Sequence, residues 1–353
     1  MNIVVLAGGL SPERHVSLVS GSGICRALRS RGHKAVLVDM FMGLEGMESV
    51  GQGLFDTPDG LCPSAVIRTE VPDLEAVRRS RRDQSASLFG PGVLEACRLS
   101  DVVFLGLHGE CGEDGRVQAA FDLLGIPYTG AGYLASGMAM NKAVAKQVME
   151  RVGILTPPWR ELVYGSEDIP RLTEELPVPC AVKTINGGSS LGVALPDTRE
   201  ELEAALWEML RYGGHIIVEQ KLAGRDITVG VLGDRYLPAV EMIPKGGTYF
   251  DYAAKYQDGG SLEICPAPIT GGQWREMGEA TLRLHRALGL AAYSRADFIL
   301  DADGRAWCLE INTLPGMTPA SLLPKEAAAA GMSYEDLCQE ILDLSLKARR
   351  TGR

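Results

Sequence analysis

Short apolar runs that end at glycines alternate along this chain with stripes of apolar residues at helical spacing. Residues 3–7 form an apolar run that stops at Gly8-Gly9, which predicts a buried strand entering a loop. Over residues 16–31, Leu18, Gly21, Cys25 and Leu28 recur at helical spacing, and Gly32 stands where a helix C-cap belongs. Residues 36–38 read as a second strand, so the segment predicts a right-handed strand–helix–strand unit in a parallel sheet. Residues 102–107 are a further buried strand that ends in the glycine-rich loop 108–115, and a helix follows over 117–124.

A new unit begins near Met140. Residues 141–150 read as a helix, Pro157-Pro158 breaks the chain, and the strand 178–183 runs into Asn186-Gly187-Gly188-Ser189-Ser190. Residues 198–212 predict an amphipathic helix with Leu202, Leu206 and Met209 on one stripe, followed by a strand over 216–219. Two strands, 227–232 and 236–243, flank the hairpin signal Gly233-Asp234. A polar loop (245–261) and a helix (274–288) precede a second hairpin, 293–300 and 305–312, around Asp301-Ala302-Asp303-Gly304; helices close the chain. Residues 41–99 are the least regular and hold the run Arg78-Arg79-Ser80-Arg81-Arg82, for which a solvated face is preferred over an anion or partner patch.

At 353 residues the chain exceeds one compact core, so two or three domains are expected. The formal charge of −10 sets the chain against phosphate backbones and excludes nucleic acid as main partner. None of the eight cysteines forms a CxxC pair; they read as small core residues with no need of disulfides. The first residues lack a basic leader and no stretch reaches the length of a membrane span, so the expected location is the cytoplasm, away from membranes.

The second hairpin carries the strongest chemical signal. Side chains alternate across a strand, which puts Glu310 and Asn312 on one face of theirs and Arg295 and Asp297 on one face of the other. If these faces coincide, three oxygen donors and an arginine line one side of a sheet, an all-oxygen set that suits Mg²⁺ alongside phosphate and water. A solvated sheet face with a surface ion pair is the competing account. Lys183 followed by Gly187-Gly188-Ser189-Ser190-Leu191-Gly192 offers a cation and free backbone N–H groups to an anion, or an ordinary turn. His108 ends a strand, where ligands bind in parallel sheets, or is a satisfied structural histidine. Glu13 opens a helix, Lys255 and Tyr256 belong to a surface loop or a lid, and Met138, Met140 and Met149 read as core. Gly21 and Gly23 do not complete a dinucleotide fingerprint, which disfavours a nicotinamide enzyme.

Taken in order, Gly8-Gly9-Leu10-Ser11-Pro12-Glu13-Arg14, Leu107-His108-Gly109, Gly112-Glu113-Asp114-Gly115, Pro127-Tyr128-Thr129-Gly130, Asn141-Lys142, Gly188-Ser189-Ser190, Ala254-Lys255-Tyr256, Ser294-Arg295-Ala296-Asp297 and Glu310-Ile311-Asn312-Thr313-Leu314-Pro315-Gly316-Met317-Thr318 resemble the D-alanine–D-alanine ligases of the ATP-grasp superfamily. The resemblance spans nearly the whole chain outside 41–99. It implies an α/β, three-domain ATP-grasp architecture: an N-terminal parallel-sheet (preATP-grasp) domain over 1–139 with 41–99 as an extended insertion, a central ATP-grasp subdomain over 140–222, and a C-terminal one over 223–353 with the lid loop 245–261. It implies ATP and Mg²⁺, with Mn²⁺ as an alternative ion, and a D-alanyl phosphate intermediate on the way to D-alanyl-D-alanine for peptidoglycan synthesis.

By the same resemblance Lys142, Lys183 and Lys255 hold ATP, Glu219 and Leu222 meet adenine, and Asp226 meets the ribose where glutamate is common. Asp297, Glu310 and Asn312 hold the metal. Glu13 and His108 place the first D-alanine; Arg295, Gly316 and Ser321 place the second; Glu13, Ser189 and Tyr256 close the lid. A homodimer is the expected assembly. Thr184 replaces a common proline and His15 a frequent acidic residue. Alternatives are a ligase taking D-lactate or D-serine second, which Tyr256 disfavours against D-lactate, or a nucleotide-binding paralogue without turnover.

Overall fold

The computed structural model describes residues 1–45, 50–62, 72–187, 192–244 and 261–351. Its secondary structure is organised in three sheets. The first has the order β2-β1-β3, all parallel, from β1 (Asn2–Ala7), β2 (Lys34–Asp39) and β3 (Val102–Leu105). Its strands are almost wholly buried, as befits a parallel sheet covered on both faces. The helix Arg14–Ser30 is the predicted crossover, and Gly32 follows its end at φ +84°, a left-handed conformation that suits glycine. Gly21 on that helix lies so close to β1 that a Cβ there would stand 2.5 Å from Ala7 Cβ and 2.7 Å from Leu37 Cδ1. Gly21→Val therefore forces helix and sheet apart; a loss of about 1–3 kcal/mol in urea unfolding is expected, and an unchanged midpoint would refute this close approach.

The second sheet, β4-β7-β5-β6, is antiparallel and comprises β4 (Trp159–Val163), β5 (Cys180–Thr184), β6 (Val193–Ala194) and β7 (His215–Gln220). The helix Arg199–Leu210 covers it, with Leu202, Leu206 and Met209 buried as the stripe predicts, and starts at a capping box of Thr198 and Glu201.

The third sheet runs β11-β10-β8-β12-β13, with β9 beside β8, from β8 (Arg225–Leu232), β9 (Arg235–Tyr236), β10 (Val240–Pro244), β11 (Ser261–Ile264), β12 (Tyr293–Leu300) and β13 (Ala306–Asn312). The single strand predicted over 236–243 is split in two. Pro238 has no N–H for the ladder and disfavours helical or strand continuity around it, and Leu237 N–H instead donates to Gly230 O at 2.8 Å. One face of this sheet packs Ile227, Val229, Ala296, Phe298 and Ile311 with Met277, Ala280 and Leu284 of the helix Gly271–Ala287. The opposite face is thereby reserved for polar side chains.

Two expectations are corrected, and one packing was not foreseen. The last helix, Tyr334–Thr351, places Leu337, Cys338, Ile341 and Leu342 in the buried cluster that holds the first sheet. Cys25 and Cys62 form a disulfide, with Cα atoms 6.8 Å apart, where no pairing was foreseen; a cysteine on the buried face of a helix and one 37 residues on in an irregular segment carry no spacing signal. The basic run is only partly solvated. Arg78, Arg79 and Arg82 are exposed, but Arg81 is fully buried, donating to Ser87 O (2.7 Å) and Asp83 (2.7 Å) with its guanidinium over the Phe41 ring.

Candidate active site

The site is built on the polar face of the third sheet. Antiparallel pairing sets Asp297 opposite Glu310 and Arg295 opposite Asn312, so the faces predicted separately do coincide. On the other side Asp297 faces Thr228 and Arg295 faces Gly230, which adds β8 to the same surface, with Asp226 two residues further along it. Arg295 grips Asp297 through Nε and Nη2, each at 2.9 Å, while Asn312 Nδ2 (3.1 Å) and Thr228 Oγ1 (2.7 Å) also donate to that carboxylate. Burial works against the Arg295 charge, and Asp297 reverses that, so the guanidinium is held firmly protonated.

Among the described residues no three His, Cys, Asp or Glu side chains gather as metal ligands. The donor set here is two carboxylates and an amide, all oxygen-bearing and on one face, which fits Mg²⁺ chemically.

Lys183, on β5, donates to Glu219 Oε2 at 2.8 Å, and Lys146 lies 3.1 Å from Glu219 Oε1. Glu219 is 1% exposed, as is the Lys146 side chain. Burial works against the Glu219 carboxylate, and Lys183 and Lys146 more than reverse it, holding the acid below its usual range. Lys146 continues to Thr156 Oγ1 (2.7 Å), which donates to Cys308 O (2.8 Å), tying the second sheet's neighbourhood to β13. Sequence reasoning missed Lys146; its spacing of four from Lys142 on one helix was the available signal. Lys142 itself donates to Gly187 O at 2.8 Å, at the start of its helix, where Asn141 caps by accepting from Val144 N–H. Leu222 and Asp226 are half-buried, at the passage from β7 into β8.

The loop after β3 closes the other side. His108 is 5% exposed. Its Nδ1 donates to Leu314 O at 3.1 Å, and burial lowers its pKa, so the neutral ring leaves Nε2 to accept from Ser20 Oγ at 2.8 Å. Both ring nitrogens are thus engaged within the protein, and one of them ties His108 to the main chain at Leu314. Glu113, for which sequence reasoning found no role, accepts from Gly109 N–H (2.9 Å) and Leu314 N–H (3.2 Å), so the Leu314 main chain is held at both its N–H and its carbonyl. Glu13 makes no capping bond to the helix it precedes; its Oε2 lies where a Cβ on Gly109 would be, 2.3 Å away, and Gly109 has φ +69°, so glycine is required there twice over. A cavity of about 30 Å³ lined by Glu113, Lys142, Gly187, Glu310 and Asn312 brings the three regions together. Gly316 approaches Ser321, whose Oγ accepts from Thr318 N–H at 3.1 Å. Ser189, Lys255 and Tyr256 lie outside the described residues.

Burial and the neighbouring Glu13 push the Glu113 carboxyl up to about 8, against the two N–H donors. The ordinary value is 4.5. Its protonation favours the fold in full below about 4.5, and that contribution is lost as the pH rises to about 8. Glu113→Gln is expected to flatten this fall in urea midpoints; a slope equal to the parent's would assign the pH dependence to other groups.

Comparison with known proteins decides the family. The D-ala D-ala ligase N-terminus family matches residues 2–131, and the D-ala D-ala ligase C-terminus family matches residues 148–343. The chain belongs to the D-alanine–D-alanine ligase family. A D-alanine–D-alanine ligase of Lacticaseibacillus casei is 40% identical over 356 residues, covering 100% of this chain and 98% of that protein. One of Pediococcus pentosaceus is 41% identical over 348 residues, covering 97% of each. Among solved structures, the D-alanine–D-alanine ligase of Bacillus anthracis complexed with ATP superposes with a TM-score of 0.74 at 26% identity over 100% of both chains. The Coxiella burnetii ligase shares the fold at a TM-score of 0.75 and 23% identity, over 100% of this chain and 96% of that one. The ATP-grasp fold expected for a D-alanine–D-alanine ligase is therefore the fold observed, with the parallel sheet at its N-terminal end.

Proposed function

We infer that this chain is an ADP-forming ligase that joins two D-alanines into D-alanyl-D-alanine for peptidoglycan synthesis. The observation that carries the reading is the register placing Arg295, Asp297, Glu310 and Asn312 on one face of the third sheet. The carboxylate of the first D-alanine attacks the γ-phosphorus of ATP, releasing ADP and forming D-alanyl phosphate. The amine of the second D-alanine then attacks the acyl carbonyl, and phosphate leaves.

Lys142 and Lys183 set positive charge against the transferred phosphoryl group. Glu219 and Leu222 receive the adenine and Asp226 the ribose; the Glu219 carboxylate already holds Lys183, so nucleotide contact and lysine placement are one arrangement. Asp297, Glu310 and Asn312 hold Mg²⁺, or Mn²⁺ in its place, which when bound neutralises phosphate charge. Glu13 takes the first D-alanine, with His108 ordering the loop beside it. Arg295 and the Gly316 N–H face the developing oxyanion, and Ser321 helps to place the second D-alanine. Ser189, Tyr256 and Lys255 enter on the family pattern alone, as the lid that excludes water from the acyl phosphate and its contact with the nucleotide.

The proposed units 1–139, 140–222 and 223–353 are supported by the sheets, one of which falls within each. A cytoplasmic homodimer completes the reading. No helix among the described residues is long and apolar enough to cross a membrane, and Leu123 (90% exposed), Leu134 (62%) and Tyr133 (53%) are exposed on two contacting helices, apolar area that a second copy would cover. The test is phosphate release from ATP and Mg²⁺ across a panel of D-amino acids, with D-lactate added to D-alanine in a parallel arm. Turnover with D-alanine alone is expected. Preference for D-lactate or D-serine as second substrate would move the chain to a sibling activity, and no release with any of them would leave a nucleotide-binding protein.

A further inference from the structure

The helix Leu322–Ala329 buries Glu326 completely against the third sheet. Its Oε2 lies where a Cβ on Gly230 would be, 2.1 Å away, so only a glycine on β8 leaves room for this carboxyl. Gly230 is the direct antiparallel partner of Arg295. Glu326 therefore stands over the polar face one strand spacing from Arg295, near enough for the two to interact electrostatically. Yet no side chain among the described residues donates to either Glu326 oxygen, and the Gly230 backbone is the one hydrogen-bonding group beside it. A buried carboxyl so thinly hydrogen-bonded is costly, and a native fold that keeps one is expected to use it in another state.

The neighbouring carboxylate shows what that state is. Asp297 has about four lone-pair positions, and among the described residues alone it accepts from four donors: Arg295 Nε and Thr228 Oγ1 on Oδ1, Arg295 Nη2 and Asn312 Nδ2 on Oδ2. Thr228 shares its one proton with Ala296 O at 3.1 Å, and the shorter contact is to the carboxylate. A cation can take Asp297 only if a donor lets go, and Arg295 is the donor that like charge would repel. We propose that Glu326 is a positioning residue that receives the Arg295 guanidinium when Asp297 turns to a divalent cation. Loading of the metal–nucleotide site then frees Arg295 from Asp297 and fixes it on Glu326, aimed at the second substrate. The proposal rests on the ligase reading, and it adds a group that neither motif nor spacing singled out.

The test reads binding rather than turnover. ADP affinity is measured calorimetrically across a Mg²⁺ titration for the parent, Glu326→Gln, Glu326→Met, Arg295→Ala and the double variant Arg295→Ala/Glu326→Gln. In both single Glu326 variants the Mg²⁺ concentration that gives half of the affinity gain is expected to rise about tenfold, with ADP affinity without metal changed less than about twofold. Glu326→Met, which replaces a buried carboxyl that no side chain pairs by a side chain of similar volume, is expected to melt no lower than the parent, so loss of structure cannot mimic the result. On Arg295→Ala the Glu326→Gln change is expected to have no further effect, because no guanidinium is left to transfer. A parent-like Mg²⁺ requirement in the single variants, or a shift that persists undiminished without Arg295, would overturn the proposal. A parent whose ADP binding ignores Mg²⁺ would instead overturn the ligase reading on which it stands.

Discussion

Arg295→Ala is expected to lower dipeptide synthesis by on the order of 10²–10³-fold while ADP still binds with near-parent affinity. The side chain is the only guanidinium among the described residues that the register of β12, β13 and β8 places on the polar face beside Asp297. The role proposed for it is toward charge that develops during the reaction rather than toward ground-state nucleotide, so the loss should fall on kcat more than on the KM for ATP. Arg295→Lys keeps the charge but not the two-pronged grip on Asp297, and should recover little. Near-full turnover in Arg295→Ala would show that the oxyanion is stabilised elsewhere. Steady-state assays of ADP formation with D-alanine, paired with ADP calorimetry, separate these outcomes.

Glu219→Ala is expected to be the most destabilising change in the second sheet. Glu219 sits between Lys146 and Lys183 at 1% exposure. Removing it leaves two cations facing each other in a buried site, a change that typically costs about 3–5 kcal/mol. Glu219→Gln keeps the shape but supplies no countercharge, and should lie between Ala and the parent. Lys146→Met/Glu219→Met, which removes a cation and its counterion together, is expected to recover much of the loss. Urea unfolding followed by circular dichroism measures all three. Equal stability of Glu219→Ala and parent would mean that water reaches this cluster.

The hairpin was legible because strand alternation is a local rule: once Asp297, Glu310, Asn312 and Arg295 are assigned to strands, only the register is missing, and the turn at 301–304 nearly supplies it. The helix stripe at 198–212 was equally local. What escaped depends on contacts distant in sequence. Glu113 acquires its role by meeting Leu314, 201 residues away, and Glu326 by meeting Gly230. Arg81 is buried by Phe41 and by carbonyls of its own loop, which a charge run does not disclose. The last helix reads as amphipathic in sequence, yet nothing in its periodicity says which core it completes.

That last packing bears on how the chain is made. The hydrophobic interior around β1–β3 is assembled from residues 3–40, 54–55 and 93–128 and again from 232–237, 292–293 and 314–342. During synthesis, residues 3–38 have their sheet partners early but wait for Leu337, Ile341 and Leu342, far later in the chain. Vectorial folding of this unit is therefore held up by its connectivity, and nascent chains should expose the flank of the helix Arg14–Ser30 until the last helix emerges, a surface for chaperones to hold.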